Sequence, residues 1–246
     1  MEKFRIRFAS FEDIPAIQKF IDENWKKGHI LARDARLFRW QYTSNKLDYV
    51  IGSGDSGGIL GILGFISYGD TDGKDIALAM WKAKPGCDFL GIKLLKYIME
   101  HEPYRVIFCP GINLGTTERI YRRMGFSIGK MNQWYRLRKQ ERYAVAKIVN
   151  TWIPPYNPEK KAELTEYHNI DEMISDFDFG SYAVKNGIPY KSLSYVERRY
   201  FGHPSYQYRV YGVKSHNNKT KTVIILRVQE WEDSRVIRFI DCIGDL

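Results

Sequence analysis

Alternation of apolar and polar residues opens the chain and predicts a strand, because Phe4, Ile6 and Phe8 fall on one face of "KFRIRFA". Ser10 then starts a helix whose apolar residues recur at helical spacing. A second helix is predicted in "HILARDARLFRWQY", starting near Ala32 to Asp34. The later predicted elements are strands in "YVIGS", "GGILGILGFISYG" and "DIALAMWKA", a helix in "FLGIKLLKYIMEHE", a strand in "YRVIFCPG", a helix in "TTERIYRRMGF" and a strand in "MNQWYRL". This order predicts a mixed α/β (α+β) domain over residues 1–140.

A proline-rich stretch, "TWIPPYNPEKK", predicts a connector over 141–160 before a second half, 161–246. In that half, "LSYVERRYFGHPSYQYRVYGV" echoes "LFRWQYTSNKLDYVIGS", and "TKTVIILRVQEW" and "RVIRFIDCIGD" resemble the two strands that follow it in the first half. We interpret the second half as a diverged, partial internal duplication.

The second copy contains no equivalent of "KPGCDFLGIKLLKY", so we expect it to bind no cofactor of its own. Its last strand would leave the apolar residues of Val236–Ile240 at an open sheet edge. We expect that edge to be covered by the first domain or by a second subunit in a homodimer, unless the sequence is part of a longer protein.

Composition and charge narrow the class of protein. The net charge is +9, which suits an anionic partner such as a nucleotide, a phosphate, a nucleic acid or a membrane surface. The charge is spread along the chain, so charge alone ranks these partners weakly; we expect a small-molecule partner and no nucleic acid. Three cysteines without a paired spacing predict neither a disulfide framework nor a metal site, and they fit a cytoplasmic location. No window approaches 18 uncharged apolar residues, so we expect no membrane insertion.

The junction from strand "DIALAMWKA" through "KPGCDFLG" to helix "IKLLKYIM" is the first candidate for chemistry. A loop of this kind points several backbone N–H groups at one spot, and the helix dipole adds to the attraction for a phosphate. Gly86 and Gly91 permit close approach, while Lys84 and Lys93 add positive charge. The alternative is a loop that only turns the chain.

The second candidate is "TTERIYRRMGF", a basic helix with one tyrosine, Tyr121, in its middle. Gly125 supplies the left-handed residue that ends a helix, and Phe126 can fold back onto the last turn. Tyr121 could equally be a buried tyrosine whose hydroxyl finds a structural partner.

Taken together, these segments resemble the GNAT superfamily of acyl-CoA-dependent N-acyltransferases over residues 4–137. The family's loop pattern is Arg or Gln, two residues, Gly, one residue, then Gly or Ala, followed by paired leucines. Gly91 takes the final glycine and Leu94-Leu95 the leucines, but Gly86 stands at the Arg or Gln position and Phe89 replaces the middle glycine. A following asparagine, a helix with a tyrosine, and "MGF" complete the resemblance.

The resemblance implies a GNAT-like mixed sheet flanked by helices, followed by a second, partial GNAT-like half. It also implies acetyl-CoA, or another acyl-CoA, as the cofactor. The residues it assigns to cofactor binding are Trp81, Ala83, Gly86, Cys87, Phe89, Leu90, Gly91, Ile92, Asn113 and Tyr121. No metal is implied.

The same resemblance implies a mechanism. A backbone N–H around Trp81 to Ala83 would stabilise the oxyanion, and Tyr121 would protonate the departing thiolate. The central strand offers no Glu, so His29, in the loop between the first two helices, is the candidate general base.

The function predicted is transfer of an acetyl or other short acyl group to a primary amine on a polar small molecule. A loose similarity to GNAT proteins encoded with surface-polysaccharide genes favours a nucleotide-linked amino sugar as acceptor. Two alternatives stay open: an aminoacyl-tRNA-dependent transferase of the Fem type, and a non-catalytic GNAT-like module with a degraded loop.

Overall fold

A computed structural model describes residues 4–113, 115–140, 142–153, 155, 162–184, 189–214, 219–232 and 234–244. The chain divides into two compact units. The first comprises the described residues of Met1–Ile128 and Gly187–Tyr195, and the second those of Gly129–Asn186 and Val196–Leu246. These units do not coincide with the predicted ranges 1–140, 141–160 and 161–246, because a short segment from the second half of the chain belongs to the first unit.

The first unit follows the predicted order of strands and helices as far as residue 123. Its strands are β1 (Arg5–Phe8), β2 (Tyr49–Ser53), β3 (Ile59–Ser67), β4 (Lys74–Ala83) and β5 (Tyr104–Phe108), and its main helices are α1 (Ile14–Asn24), α2 (Ile30–Arg33), α3 (Ala35–Tyr42), α4 (Leu90–His101) and α5 (Glu118–Arg123). The sheet order is β1-β2-β3-β4-β5, antiparallel except for the parallel pair β4 and β5. The predicted mixed sheet flanked by helices is confirmed.

Two apolar clusters cover the two faces of this sheet. On one face, α1 to α3 enclose Phe38, Tyr42 and Tyr49, all fully buried. On the other face, α4 buries Leu90 and its paired leucines. A Cβ at Gly52 would lie 2.6 Å from Leu90, so this glycine lets the first turn of α4 approach the sheet closely.

Two details of the first unit differ from the prediction. The helix predicted to start near Ala32 to Asp34 is α3, and Asp34 is its N-cap, because the Asp34 carboxylate accepts a hydrogen bond from Leu37 N–H at 2.8 Å. The short helix α2 that precedes it was not predicted. The predicted strand in "MNQWYRL" is wrong: residues 126–140 contain no strand. Its large apolar side chains are open to solvent, Trp134 at 87% and Met131 at 80% exposure, so no buried face supports strand pairing here.

Residues 189–195, which belong to the first unit, pack beside the start of β4. The backbone N–H of Tyr190 donates to Asp75 Oδ2 at 2.7 Å, and that of Ser192 donates to the carbonyl of Tyr68 at 2.8 Å. Tyr195 stacks on Tyr68 with ring centroids 4.4 Å apart. These contacts depend on partners more than 100 residues away in sequence, which is why no local pattern predicts them.

The second unit contains a four-stranded antiparallel sheet. Its strands are β6 (Leu164–Tyr167), β7 (Arg209–Lys214), β8 (Thr220–Trp231) and β9 (Ser234–Gly244), in the order β6-β7-β8-β9, and its helices are α6 (Ile170–Asp176) and α7 (Phe179–Val184), with a π-helix at Glu197–Phe201. A further helix, α8 (Leu193–Val196), spans the division between the units.

The two sheets repeat one another in register. Val50 pairs with Phe8 and with Leu63, and Val210 pairs in the same way with Tyr167 and Ile225. The pairing of the third and fourth strands shifts at equivalent places, between Ile62 and Gly64 in one sheet and between Ile225 and Leu226 in the other. Shared strand order, register and bulge position support the internal duplication inferred from sequence.

Among the described residues, no helix is both long and apolar enough to cross a membrane.

Candidate functional site

Strands β4 and β5 separate at the candidate site. They pair from Lys74 to Ala77, but β4 continues to Ala83 without β5 as a ladder partner in the described chain. A bulge in β4 falls in this stretch, where Met80 adopts a left-handed conformation with φ of 55°. The separation leaves backbone groups of β4 facing a gap between two otherwise paired strands.

The loop after β4 has the open backbone that the sequence predicted. Gly86 has φ of 82°, and a Cβ there would meet no atom within 4 Å. Phe89 caps α4 with φ of 63° and is 70% exposed, so a non-glycine residue keeps the left-handed geometry at the family's middle glycine position. Within the described part of the chain, four backbone N–H groups at this turn donate to no protein acceptor: those of Asp88, Phe89, Gly91 and Ile92.

Charges around the loop are mixed but mainly positive. Lys84 Nζ lies over the Phe20 ring at 5.9 Å from its centroid, and Lys93 Nζ lies over the Phe4 ring at 5.1 Å. Asp88 is the acidic residue of the loop. Two ammonium groups and the start of a helix outweigh one exposed carboxylate, so the local field favours an anion.

Trp81 connects the bulged strand to α4. Its indole N–H donates to the carbonyl of Gly91 at 3.0 Å, and its ring meets Tyr121 edge to face at 5.4 Å. A Cβ on Gly91 would lie 3.1 Å from Trp81 Nε1. The glycine is therefore needed for the close fit of this indole, a reason that the sequence alone did not supply.

Tyr121 lies on α5, on the other side of Trp81. The helix ends as the sequence predicts: Gly125 has φ of 87°, and Phe126 N–H donates back to the carbonyl of Tyr121 at 3.0 Å. The ring of Phe126 packs edge to face on Tyr121 at 5.0 Å. The helix end thus fixes the tyrosine side chain between two aromatic rings.

The hydroxyl of Tyr121 lies in a nearly dry environment. The residue is 3% exposed, and burial, with the nearby Cys109 thiol contributing, raises the pKa of Tyr121 well above its ordinary value. Its hydroxyl is therefore protonated across the physiological pH range and can donate a hydrogen bond. Cys109 follows β5, where its thiol approaches the carbonyls of Leu78 and Gly111 at 3.7 and 3.4 Å.

The remaining predicted cofactor residues lie on the same elements. Ala83 ends β4, Cys87 is half-buried in the loop, and Leu90 and Ile92 belong to the first turn of α4. Asn113 precedes α5, where its Oδ1 accepts from Gly115 N–H at 2.9 Å and its carbonyl accepts from Thr117. Asn113 shapes the turn that presents α5.

His29 has a local role that the sequence did not predict. Its Nδ1 accepts a hydrogen bond from Leu31 N–H at 3.2 Å and so caps α2. Burial, with Lys26 nearby, lowers the pKa of the imidazole. The ring is thereby kept neutral, as a base requires, but the bond uses one of its two nitrogens. Its assignment as general base stays a prediction.

The sequence did not predict two features of the site, the bulge at Met80 and the position of Cys109. The bulge at Met80 needs the register of β3 against β4, because both flanking stretches look like uninterrupted strand. Cys109 has a sequence signal, because it lies directly after an apolar strand and shortly before the helix that contains Tyr121.

Comparison with known proteins gives a fold. No protein-family model matches the chain, and no curated protein matches it. Among solved structures, a protein of Pyrococcus horikoshii described as "a putative acetyltransferase" aligns with 94% of this chain and 73% of its own, with a TM-score of 0.53 and 10% identity.

Other matches cover about half of the chain. The aminoglycoside N-acetyltransferase AAC(6')-Iy, in complex with CoA, aligns with 56% of this chain and 97% of its own at 14% identity and a TM-score of 0.45. A GNAT family acetyltransferase from Brucella melitensis, in complex with acetyl-CoA, aligns with 52% and 85% at 19% identity and a TM-score of 0.37. At such identities a structural match establishes the fold alone, and of these three only the Pyrococcus horikoshii structure has a TM-score above 0.5. The chain shares the fold of that acetyltransferase-like structure, and its mixed sheet flanked by helices agrees with the fold that the sequence predicted.

Proposed function

We propose that the chain is an acyl-CoA-dependent N-acyltransferase and that its acceptor is a primary amine on a polar, anionic small molecule. The observation that carries the proposal is the gap between β4 and β5, directly beside a left-handed loop with unpaired N–H groups. A linear thioester donor with a diphosphate fits this combination of gap and loop.

The donor's diphosphate would lie against the amides of Asp88, Phe89, Gly91 and Ile92, with Lys84 and Lys93 adding charge. Gly86 leaves room for close approach, since nothing lies near the position of its Cβ. The bound donor supplies an activated acyl carbonyl. The exposed edge of β4 from Trp81 to Ala83 supplies backbone groups to pair with the extended arm and to hold the oxyanion.

The amine must arrive neutral, attack the acyl carbonyl and lose a proton. The thiolate that departs must take up a proton. Tyr121, protonated and fixed by Phe126 and Trp81, is positioned to donate to the departing sulfur. His29 is the candidate to accept the amine proton, directly or through water. A nucleotide-linked amino sugar remains our best acceptor hypothesis, supported by the net charge of +9 and by the polysaccharide-type resemblance.

Calorimetric titration of the whole chain with acetyl-CoA tests donor binding. Expected is one site per chain, weakened by replacing Gly91 with Val. A panel of amines, with nucleotide amino sugars beside aminoglycosides, amino acids, polyamines and peptides, then tests transfer. Binding without transfer to any amine would leave a donor-binding module, and exclusive transfer to peptides would overturn the sugar hypothesis.

If the chain does not bind acetyl-CoA, two alternative functions are favoured: a non-catalytic GNAT-like module and an aminoacyl-tRNA-dependent transferase of the Fem type. One observation favours the non-catalytic module: Phe89, where the family has glycine, puts a large exposed ring at the entrance to the loop. Against it, the loop retains left-handed geometry at Phe89 at a cost of about 1–3 kcal/mol, which is typical of functional sites. Transfer from a charged tRNA, with no effect of acetyl-CoA, would support the Fem-type alternative.

A further inference from the structure

The second unit contains an open groove, lined by the loop 203–207 and the strand stretch 227–230. Its volume is about 700 Å³, within the usual range for small-molecule sites. The lining is polar and aromatic rather than apolar.

Comparison of the two sheets shows which side chains differ at this position of the duplicated fold. By register, Gln229 of β8 is the equivalent of Ser67 of β3. In the first unit, Ser67 donates to the buried carboxylate of Asp48 at 2.7 Å, and Asp48 also accepts from Ser44. In that arrangement the Asp48 carboxylate accepts hydrogen bonds from two protein side chains and needs no bound molecule. In the second unit the equivalent of Asp48 is Tyr208, which offers no carboxylate.

The side-chain carbonyl of Gln229 lacks a hydrogen bond. Its Oε1 is buried and has no hydrogen-bond partner within the described residues, although it lines the groove. A buried acceptor without a partner costs about 1–3 kcal/mol. A hydroxyl group from a bound molecule would satisfy it.

Arg227 brings positive charge to the same wall. Its guanidinium lies over the Tyr206 ring at 4.3 Å from the centroid, and Tyr206 in turn packs on His203 at 4.7 Å. Arg238 does not line the groove, but it pairs directly across from Arg227 on the neighbouring strand and so lies beside the groove. Like charges directly opposite each other on a sheet are destabilising, unless an anion lies between them.

The loop that faces these residues is held in place by His203. Its Nδ1 accepts from the N–H groups of Ser205 and Tyr206, both at 3.1 Å, so the neutral ring carries its proton on Nε2. The charges around this ring are cationic on both sides, Arg199 from the π-helix and Arg227 from β8. The acid of the groove, Glu230, is already engaged by Arg235 at 2.7 Å.

We propose that this groove binds a hydroxylated anion of the sugar-phosphate class, with Arg227 and Arg238 holding the phosphate and Gln229 accepting from a sugar hydroxyl. The ligand would separate two facing arginines and give the buried amide its missing partner. This site is independent of the proposed acyl transfer, so failure of one leaves the other standing.

Calorimetric titration of the whole chain with glucose 6-phosphate, inorganic phosphate and glucose tests the proposal. We expect the sugar phosphate to bind, inorganic phosphate to bind at least tenfold more weakly, and glucose not to bind up to about 1 mM. Arg227→Gln should weaken the sugar phosphate at least tenfold. Lys221→Gln, the same charge change at the exposed other end of β8, should leave it unchanged.

Gln229→Ala separates recognition from bulk charge. It should reduce the affinity for glucose 6-phosphate toward that for inorganic phosphate and leave phosphate binding unaltered. Ring NMR signals of His203 report both the fold of each variant and ligand binding, because an anion beside the two arginines raises the pKa of that ring. Equal losses in Arg227→Gln and Lys221→Gln, equal affinities for the two phosphates, or no binding at all would overturn the assignment.

Discussion

The indole N–H of Trp81 donates to the main-chain carbonyl of Gly91 across 3.0 Å, and this bond joins the bulged strand β4 to the first turn of α4. The two elements that would hold the donor are therefore fixed to each other by one side chain. Trp81 also touches Tyr121, so the same residue contacts the tyrosine proposed to act on the thiolate.

Trp81→Phe should weaken acetyl-CoA binding by about three- to tenfold, because a net loss of about 1 kcal/mol is expected for one hydrogen bond. Gly91→Val should weaken it further, since the added carbons collide with the indole as well as crowding the amides. Calorimetry measures both. Lys96→Gln, on the exposed side of α4, is a charge-changing control for nonspecific effects. Wild-type affinity in both site variants would refute this placement of the donor.

Tyr121→Phe should lower kcat by about 10²-fold or more while changing KM little, since proton donation acts mainly in the transition state. Tyr49→Phe is the matched control, because Tyr49 is equally buried, in the same unit, and its hydroxyl has no hydrogen-bond partner in the described structure. Steady-state kinetics on the acceptor found by the amine screen give both constants. Parallel effects in the two variants would assign Tyr121 to packing alone.

Glu102→Gln should reduce the free energy of unfolding by about 3–5 kcal/mol, because it strips the anion from a buried ionic cluster. Glu102 is buried at the end of α4, where its carboxylate lies 2.7 Å from Lys46 Nζ and 3.0 Å from Lys74 Nζ. Urea unfolding measures the loss. Glu118→Gln, which removes an exposed pair with Arg122 on α5, should change stability by about 0.5 kcal/mol or less.

His203 should make the second unit sensitive to acid. Burial, together with Arg199 and Arg227, lowers the pKa of its ring from 6.5 to about 4. The unfolded chain therefore binds the proton more readily, and stability falls as pH drops from about 6.5 to about 4. After allowing for partial exposure of the ring, we expect a loss of about 1–2 kcal/mol.

The difference between the parent chain and His203→Gln in urea unfolding at pH 7 and at pH 4.5 isolates this contribution. Direct NMR titration of the His203 ring gives the pKa itself. A midpoint near 6.5 would show that the arginines and burial do not act on the ring as the geometry indicates.

Local sequence was enough for most elements of the first 123 residues, although not for the short helix α2 or the bulge at Met80. Alternation in β1, the cap at Ser10, and the left-handed end at Gly125 each depend on neighbours within a few positions, so these elements and the Tyr121 turn were predictable. The echo of "YVIGS" in "YRVYGV" was also sufficient to predict the second sheet.

Tertiary structure decided what depends on register and distant contact. The Met80 bulge arises where β3 and β4 pair out of step, the Trp81–Gly91 bond joins elements ten residues apart, and Tyr190 reaches Asp75 from the far half of the chain. The predicted strand in "MNQWYRL" failed for the same reason, since a segment becomes a strand only where a neighbouring strand and a buried face receive it. Local pattern determined the elements of this protein, and pairing between remote residues determined the geometry of its sites.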